Sequence, residues 1–324
     1  MDKVLGIGNA LVDIMIQLPD DSTLEKFSLK KGSMQLCERE FADKINNVTV
    51  NFEKSQSSGG SAANTIHGIA SLGAKAGYIG KVGKDEFGEF FSRDMKEHNI
   101  QPFLLKGQND TGRAMALISP DSERTFATYL GAAIELTDSD LINDQFKDYK
   151  ILHIEGYLVQ NHALMLKAAE LAKASNMSIS IDMASFNVVE DNLEFLKDYV
   201  RNYVDIIFAN EEESKAFTGK EPEDSLKELA DDCEIAVVKI GSKGSLVKSK
   251  GQIYRIDPIK VKPVDTTGAG DLYASGFLYG LTNNMPLEKC GQLGSFCAGK
   301  VIEVIGSKMS NETWEEIKKI IKYQ

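Results

Sequence analysis

The chain of 324 residues is 42% hydrophobic and carries a net charge of −11. This length predicts one large domain with a smaller appendage, and the acidic balance argues against nucleic acid as a partner. We expect no signal peptide, and because no apolar run comes near the roughly 18 residues of a membrane span, we expect no membrane association. Four cysteines without CxxC spacing favour a reducing cytoplasm.

The first predicted strand is Val4–Ile7. Gly6, within it, and Gly8, just after it, match the first two glycines of a GxGxxG motif. The third glycine is absent and no helical pattern follows, so we reject a dinucleotide-binding fold. Residues 11–16 continue in extended character, and Asp13 is the one acid among them. Because a buried carboxylate needs polar partners, Asp13 is either a ligand-binding residue or a turn-forming surface acid.

Short strands interrupt the N-terminal part of the chain. The pattern predicts one strand at 33–37 and a hairpin made of 113–118 and 124–129 around a polar turn. Arg124, in this hairpin, is either a phosphate-binding residue or a plain surface arginine. These segments do not follow the regular alternation of strands and helices that begins near residue 150.

A glycine pair, Gly59 and Gly60, precedes a helix that is predicted from its apolar periodicity. The pair is either a flexible helix entry or a place where the backbone approaches a ligand closely. Asn64 follows on the same helix, and its amide both donates and accepts hydrogen bonds. Residues 78–88 predict a strand, a turn and a helix with a structural role.

From residue 150 onward, strands and helices alternate regularly. Short β-rich runs at 151–154, 178–182 and 206–208 are separated by helical patterns at 163–174 and 193–203. This alternation predicts right-handed βαβ units and an α/β fold with a mostly parallel sheet covered on both faces. Ligands of such sheets bind at the carboxyl ends of the strands.

Three later features are ambiguous by themselves. Asn210 and three glutamates follow a strand, where acids ordinarily complement the dipole of a helix start. A buried strand at 235–240 runs into a glycine turn that lacks the Gly-Lys-Ser/Thr of a P-loop. Amphipathic helices are predicted at 287–303 and 311–322, and small residues in the first of them suit either an adenine slot or helix packing. The four histidines show no metal-ligand spacing, so we expect core or surface roles for them.

The most informative stretch is Asp265–Asp271, with the sequence DTTGAGD. Its glycines predict a tight turn into a buried helix, where free N–H groups and the helix dipole favour an anion. Asp271 lies at the same helix start. A carboxylate beside an anion site suits phosphoryl transfer to an alcohol, whereas the plain alternative is a helix cap worth about 0.5–2 kcal/mol.

DTTGAGD resembles the C-terminal signature of the ribokinase-like (PfkB) carbohydrate and nucleoside kinases. Residues 8–13 resemble the family's Gly-Asn-x-x-x-Asp segment, 59–64 its Gly-Gly-x-x-x-Asn motif, 78–88 its first signature and 210–213 its Asn-x-x-Glu motif. The resemblance implies a ribokinase-like three-layer α/β sandwich with a mostly parallel central sheet and a small β lid over the acceptor. It also implies ATP as co-substrate and Mg²⁺.

The resemblance assigns a role to each matching position. It implies that Asp271 is the catalytic base and that the N–H groups of Gly268, Ala269 and Gly270 hold the developing charge. The implied acceptor-binding residues are Asp13, Gly59, Gly60 and Asn64. The implied ATP-binding residues are Asn210, Lys239, Gly241, Lys243, Gly244, Thr266, Ser295 and Ala298. The implied metal ligands are Glu213 for Mg²⁺ through water, and Asp265 with Thr267 for a monovalent cation such as K⁺.

The acceptor is left open between two classes. Over most of its length the chain looks most like the adenosine-kinase-like branch, whose nucleobase pocket matches the apolar or aromatic positions Leu11, Met34, Leu36, Phe126 and Tyr157. Glu155 favours a free sugar such as ribose or fructose instead, since sugar kinases of the family often have an acid there. A catalytically silent nucleotide-binding relative is the remote alternative.

We expect the large domain at about 1–10, 42–98 and 131–324, with the lid at about 11–41 and 99–130. The apolar lid residues also suit lid-to-lid packing, so the chain is expected to be a monomer or a homodimer.

Overall fold

The computed structural model describes residues 3–121 and 123–322 of the chain. Its strands are β1 Val4–Ile7, β2 Leu11–Gln17, β3 Met34–Leu36, β4 Lys54–Gly59, β5 Ala76–Val82, β6 Ile100–Lys106, β7 Gly112–Ile118, β8 Arg124–Tyr129, β9 Ile151–Glu155, β10 Ser178–Asp182, β11 Ile206–Asn210, β12 Ile235–Lys239, β13 Ser245–Ser249 and β14 Gln252–Ile256. Its helices are α1 Ser22–Lys26, α2 Arg39–Val48, α3 Ser61–Leu72, α4 Glu86–Glu97, α5 Asn143–Phe146, α6 His162–Ala174, α7 Phe186–Asp191, α8 Leu193–Tyr203, α9 Glu211–Thr218, α10 Pro222–Asp232, α11 Ala269–Thr282, α12 Leu287–Val301 and α13 Asn311–Lys322.

The larger sheet has nine strands in the order β14-β13-β12-β11-β10-β9-β1-β5-β6. Seven of them run parallel, and β13 and β14 add an antiparallel edge. Val4 packs in one apolar cluster with α3, α11 and α12, whereas Leu5 and Ile7 pack in a second cluster with α6 and α8. Helices therefore cover both faces, and the predicted three-layer α/β fold is confirmed.

The smaller sheet has five strands in the order β3-β8-β7-β2-β4 and mixes parallel with antiparallel pairs. The expected division into domains was wrong at two segments. Lys54–Gly59 pairs with β2 in the small sheet, and its polar sequence gave no strand signal. Ile100–Lys106 pairs in parallel with β5 at the edge of the large sheet, because it follows α4 as the second strand of a βαβ unit.

Helix α11 packs between α3 and α12 at short range because small residues face both neighbours. A Cβ on Gly68 would lie 2.3 Å from Ser275 Oγ, and a Cβ on Gly276 would lie 2.6 Å from the Leu293 carbonyl oxygen. Ser275 Oγ lies 2.8 Å from the carbonyl oxygens of Thr65 and Asp271. The small residues after Asp271 thus fix the start of α11 against α3.

In the part of the chain that the structure describes, no helix combines the length and the apolar character that crossing a bilayer requires. All four cysteines are free thiols.

Candidate active site

A cavity of about 2140 Å³ lies between the small sheet and the carboxyl ends of the parallel strands. Asp13 and Met34 line it from the small sheet, Asp182 and Lys239 line it from strand ends, and residues 266–271 line it at the start of α11. Parallel sheets bind ligands at this edge. Motifs that are distant in sequence therefore meet in one cavity.

Asp271 is the third residue of α11, and it lines this cavity. Its Oδ1 accepts a hydrogen bond from Ser61 Oγ at 2.7 Å, and its Oδ2 accepts one from Asn64 Nδ2 at 3.0 Å. Burial raises the pKa of Asp271 to about 6, while the bond from Ser61 opposes the rise. Each oxygen keeps a further lone pair, so the ionised carboxylate can accept the proton of a hydroxyl group.

The orientation of Asn64 is fixed from behind by a loop that the sequence did not single out. Asn64 Oδ1 accepts hydrogen bonds from Ser307 Oγ at 2.8 Å and Lys308 Nζ at 3.2 Å. Because both donors engage the amide oxygen, the amide NH₂ faces Asp271. Asn64 thus contacts the candidate base itself, besides lining the acceptor side of the cavity. Ser307 and Lys308 lie in no repeating or glycine-rich motif that would have marked them.

The turn before α11 has the conformation that its glycines predict. Gly268 has a φ of 75°, and a Cβ there would approach the Ser307 side chain to 2.8 Å. The Ala269 N–H donates to the Thr266 carbonyl at 3.2 Å, so the expectation of three free amides was wrong for Ala269. Among the described residues, the N–H groups of Gly268 and Gly270 have no backbone acceptor. These two amides are the ones that can hold an anion.

Lys239 brings a positive charge to the same turn. Its Nζ lies 2.8 Å from Asp182 Oδ2, and a Cβ on Gly270 would lie 3.0 Å from this ammonium group. Asp182 ends β10 and lines the cavity, but the sequence analysis missed it because a lone acid at a strand end carries no motif. The ammonium group can neutralise phosphate charge in a cavity whose other charged side chains are mostly acidic.

Glu213 both caps α9 and lines the cavity. Its two carboxylate oxygens accept hydrogen bonds from the N–H and the Nδ2 of Asn210, each at 2.7 Å. Burial raises the pKa of Glu213 to about 7, and Lys239 opposes the rise. Each oxygen retains a lone pair for water, so the residue fits the role of an outer ligand to hydrated Mg²⁺.

The candidate nucleotide side of the cavity lies between the glycine turn after β12 and helix α12. Gly241 and Gly244 line it with φ of 55° and 92°, and a Cβ on Gly244 would lie 1.9 Å from the Ile256 carbonyl oxygen. Thr266, Ser295 and Ala298 also line it. Lys243 is exposed at the end of a short 3₁₀ turn, between the cavity-lining residues Ser242 and Gly244, and its assignment to ATP stays a prediction.

The acceptor side combines one free carboxylate with a tight backbone approach. A Cβ on Gly59 would lie 2.2 Å from the Asp13 carboxylate, and a Cβ on Gly60, whose φ is 99°, would lie 2.1 Å from the Asn9 carbonyl oxygen. Burial raises the pKa of Asp13 to about 7, while Lys308 opposes the rise. In the described residues no donor bonds to the Asp13 carboxylate, so it is available to a ligand hydroxyl.

Five apolar or aromatic side chains that the sequence assigned to a nucleobase pocket contribute to the cavity wall. Met34 and Leu36 are each 56% exposed, which is high for large apolar residues. Leu11, Phe126 and Tyr157 line the same cavity. All five predicted nucleobase-pocket residues therefore lie on one cavity.

The Asp265 carboxylate, which was predicted to bind a monovalent cation together with the Thr267 carbonyl, has other partners. Asp265 Oδ1 accepts from the Thr267 N–H at 2.9 Å, and Oδ2 accepts from the Gly306 N–H at 2.7 Å. Arg124 Nη1 forms an ion pair with Asp265 Oδ2 and lies 3.3 Å from Thr267 Oγ1. Because a guanidinium group already neutralises this carboxylate, the residues do not fit a bound K⁺ here. Arg124 is also buried, so it is no surface arginine.

Two of the histidines converge, although their sequence positions showed no ligand spacing. His67 Nε2 lies 3.1 Å from Asp94 Oδ2, and His98 Nδ1 lies 3.4 Å from Asp94 Oδ1, close enough to share a metal ion. Ser58 Oγ already bonds His67 Nε2 at 2.7 Å. Burial lowers the pKa of His67 to about 3, so it is neutral at physiological pH. We assign this cluster to the packing of α3 against α4.

Comparison with known proteins agrees with the geometry. The model of the pfkB family carbohydrate kinases matches residues 32–314. A 5-dehydro-2-deoxygluconokinase from Clostridium beijerinckii is 31% identical over 304 residues, 86% of this chain and 89% of that protein. A probable sugar kinase from Rhizobium etli has a TM-score of 0.88 at 35% identity, with 98% of both chains covered. The adenosine kinase from Sinorhizobium meliloti has a TM-score of 0.87 at 35% identity, covering 98% of this chain and 99% of its own.

The family match spans most of the chain, and the motifs that carry it line a single cavity around Asp271. The chain therefore belongs to the pfkB family of carbohydrate kinases, and it is an enzyme that transfers a phosphoryl group to an alcohol.

Proposed function

We propose that the enzyme transfers the γ-phosphoryl group of ATP to the primary hydroxyl of a nucleoside, with adenosine, which yields AMP, as the preferred acceptor. One observation carries the choice of acceptor: the apolar or aromatic side chains of Leu11, Met34, Leu36, Phe126 and Tyr157 line the same cavity as Asp13 and Asp271. A purine presents two apolar faces and suits such walls, whereas a free sugar presents hydroxyl groups.

Two further observations support this choice. The exposed side chains of Met34 and Leu36 are unfavourable in water unless a ligand or a second copy of the lid covers them. The second is the hydrogen bonding of Glu155, the residue that favoured a free sugar. Its Oε1 accepts from the N–H of Asn9 at 3.1 Å and from Asn9 Nδ2 at 2.6 Å, and its Oε2 accepts from the Ala62 N–H at 3.1 Å. Glu155 therefore holds the strand β1 end against α3, which leaves it less free to bind a sugar.

The chemical step follows from the positions of the charged groups. The acceptor hydroxyl, held between Asp13 and Asp271, gives its proton to the Asp271 carboxylate. Its oxygen forms a bond to the γ-phosphorus as the bond to the β-phosphate oxygen breaks, and ADP leaves with that electron pair. The amides of Gly268 and Gly270 and the Lys239 ammonium group stabilise the charge on the transferred group. When bound, Mg²⁺ would neutralise phosphate charge, with Glu213 holding one of its waters.

The acceptor is tested by an ADP-release screen over adenosine, inosine, ribose, fructose and fructose 6-phosphate. We expect adenosine to have the highest kcat/KM, because its base adds apolar contacts that ribose lacks. Ribose as the better acceptor would support the sugar-kinase alternative. Turnover on no member of the panel, despite ATP binding, would favour a catalytically silent relative.

The pH dependence of kcat/KM should reflect the candidate base. Asp271 must be ionised to accept a proton, so activity should fall as the pH drops through its pKa of about 6. The bond from Ser61 stabilises the ionised form, so Ser61→Ala should move this acid limb to higher pH. Ser55→Ala, an exposed serine on β4, serves as the control and should leave the limb in place. An unchanged limb in Ser61→Ala would contradict the assignment of the limb to Asp271.

A further inference from the structure

Arg124 joins the small sheet to the loop that carries the anion site. It is the first residue of β8, and its guanidinium group reaches Asp265 and Thr267 just before α11. The side chains of Arg124 and Asp265 are only 7% and 6% exposed. A buried ion pair therefore connects the lid to the turn that holds the catalytic amides.

Asp265 in turn organises the backbone on both sides of this turn. Its carboxylate accepts the N–H groups of Thr267 and Gly306, and Ser307, next to Gly306, packs against Gly268 and bonds Asn64. The position of this one carboxylate thus affects the anion loop and the residue that orients Asp271. A buried carboxylate in such a position needs a compensating positive charge.

A guanidinium group and an alkali ion compete for that role. K⁺ is bound by oxygen atoms that replace its hydration shell, and Asp265 is the charged oxygen ligand available beside this loop. Arg124 already contacts Asp265 Oδ2. A K⁺ at the same oxygen would lie next to a positive guanidinium group and be repelled by it.

We infer that Arg124 is the built-in cation of the anion loop, so that this kinase works without K⁺ and becomes dependent on it when Arg124 is removed. Arg124 is a positioning residue in this account, because it acts through Asp265. The inference rests on the proposed phosphoryl transfer only for its rate measurements.

The test compares the full-length protein in KCl and in tetramethylammonium chloride at equal ionic strength, by initial rates and by melting temperature without nucleotide. Wild type should give the same values in both salts. R124A should lose about 10²-fold in rate in tetramethylammonium, since the turn is misplaced, and KCl should recover a large part of it. KCl should also raise the melting temperature of R124A. R124K retains the charge and should stay insensitive to KCl.

Arg113 provides a matched control on the neighbouring strand. It is a buried arginine whose Nη2 lies 2.9 Å from Asp43 Oδ1, and it pairs with Tyr129 at the opposite end of β8 from Arg124. R113A should show no K⁺ response in rate or in melting temperature. The double variant R124A/D265N should also lose the K⁺ response, because the carboxylate that needs the cation is gone.

A rate or melting temperature of wild type that rises in KCl overturns the inference, and so does an R124A variant that responds to KCl no more than R113A. If wild type phosphorylates none of the acceptors, the proposed function fails while the melting temperatures still decide this question. If R124A does not fold in either salt, R124Q is tested instead. A wild-type rate or melting temperature that rises in KCl still overturns the inference in that case.

Discussion

Asp271→Asn should lower kcat by about 10² to 10⁴, the contribution that a positioned general base typically makes. The amide occupies the same volume and can still accept one hydrogen bond from Asn64 or Ser61, but it cannot take a proton from the acceptor hydroxyl. The loss should appear in kcat at saturating acceptor and ATP. Nucleotide affinity should change little, because the amides and Lys239 remain in place.

The stability of the same variant separates a chemical role from a structural one. Burial raises the pKa of Asp271, so the ionised carboxylate is disfavoured in the folded protein. For a carboxyl group with a raised pKa, the folded state loses stability as the pH rises from the unfolded pKa through the folded one. At pH 8 we therefore expect Asp271→Asn to melt at or above the wild-type temperature. Asp231→Asn, which changes an exposed acid, is the control and should affect neither rate nor melting temperature.

A variant that retains most of its turnover would remove Asp271 from the chemistry. A variant that loses both turnover and several degrees of melting temperature would assign it to the fold instead.

The sequence identified the contiguous parts of the site because each of them combines a glycine constraint with a polar group. Gly268 and Gly60 both have positive φ, and both stand directly before a helix that carries a functional side chain. A requirement for glycine beside a polar residue at a helix start involves only neighbouring residues, so it can be recognised in the sequence. The regular alternation after residue 150 predicted the parallel sheet for a similar reason, since buried strands and amphipathic helices have distinct periods.

The contacts that orient the base were not predictable in this way. Ser307 and Lys308 lie far from Asn64 in sequence, and nothing in their local pattern shows that their donors converge on its amide oxygen. Asp182 ends a strand as many acids do, and only the register of β10 beside β11 and β12 brings it to Lys239. The polar strand Lys54–Gly59 was missed because its partner strand, not its own composition, makes it a strand.

The pairing of Arg124 with Asp265 is another contact between residues distant in sequence that could not be predicted. The family resemblance implied a monovalent cation at Asp265, whereas the structure places the guanidinium group of Arg124 against that carboxylate. The identity of the cation depended on a residue of the lid hairpin, which only the tertiary fold brings near. A short motif therefore does not identify the group that neutralises its own carboxylate when that group comes from a distant part of the chain.

Gly59→Ala should lower kcat/KM for the acceptor by about 10²-fold, the effect expected when a substrate-positioning group moves by roughly 1 Å. Gly59 faces Asp13 diagonally across the β2–β4 pair, and an added Cβ would lie 2.2 Å from the Asp13 carboxylate. Gly59 does not have a positive φ, so alanine is acceptable to the backbone and the carboxylate must give way. The acceptor KM should rise, whereas the affinity for ATP should not change.

A double-mutant cycle with Asp13→Ala tests whether Gly59 acts only through that carboxylate. Asp13→Ala alone should also raise the acceptor KM, since it removes a carboxylate that accepts no hydrogen bond from the described part of the chain. In the Asp13→Ala background the added methyl group meets no carboxylate, so Gly59→Ala should then have little further effect. Two effects that multiply instead would show that Gly59 contributes to the site by a route other than Asp13, such as the entry into α3. The cycle thus assigns the glycine pair either to ligand positioning or to the fold, the two roles that its sequence left open.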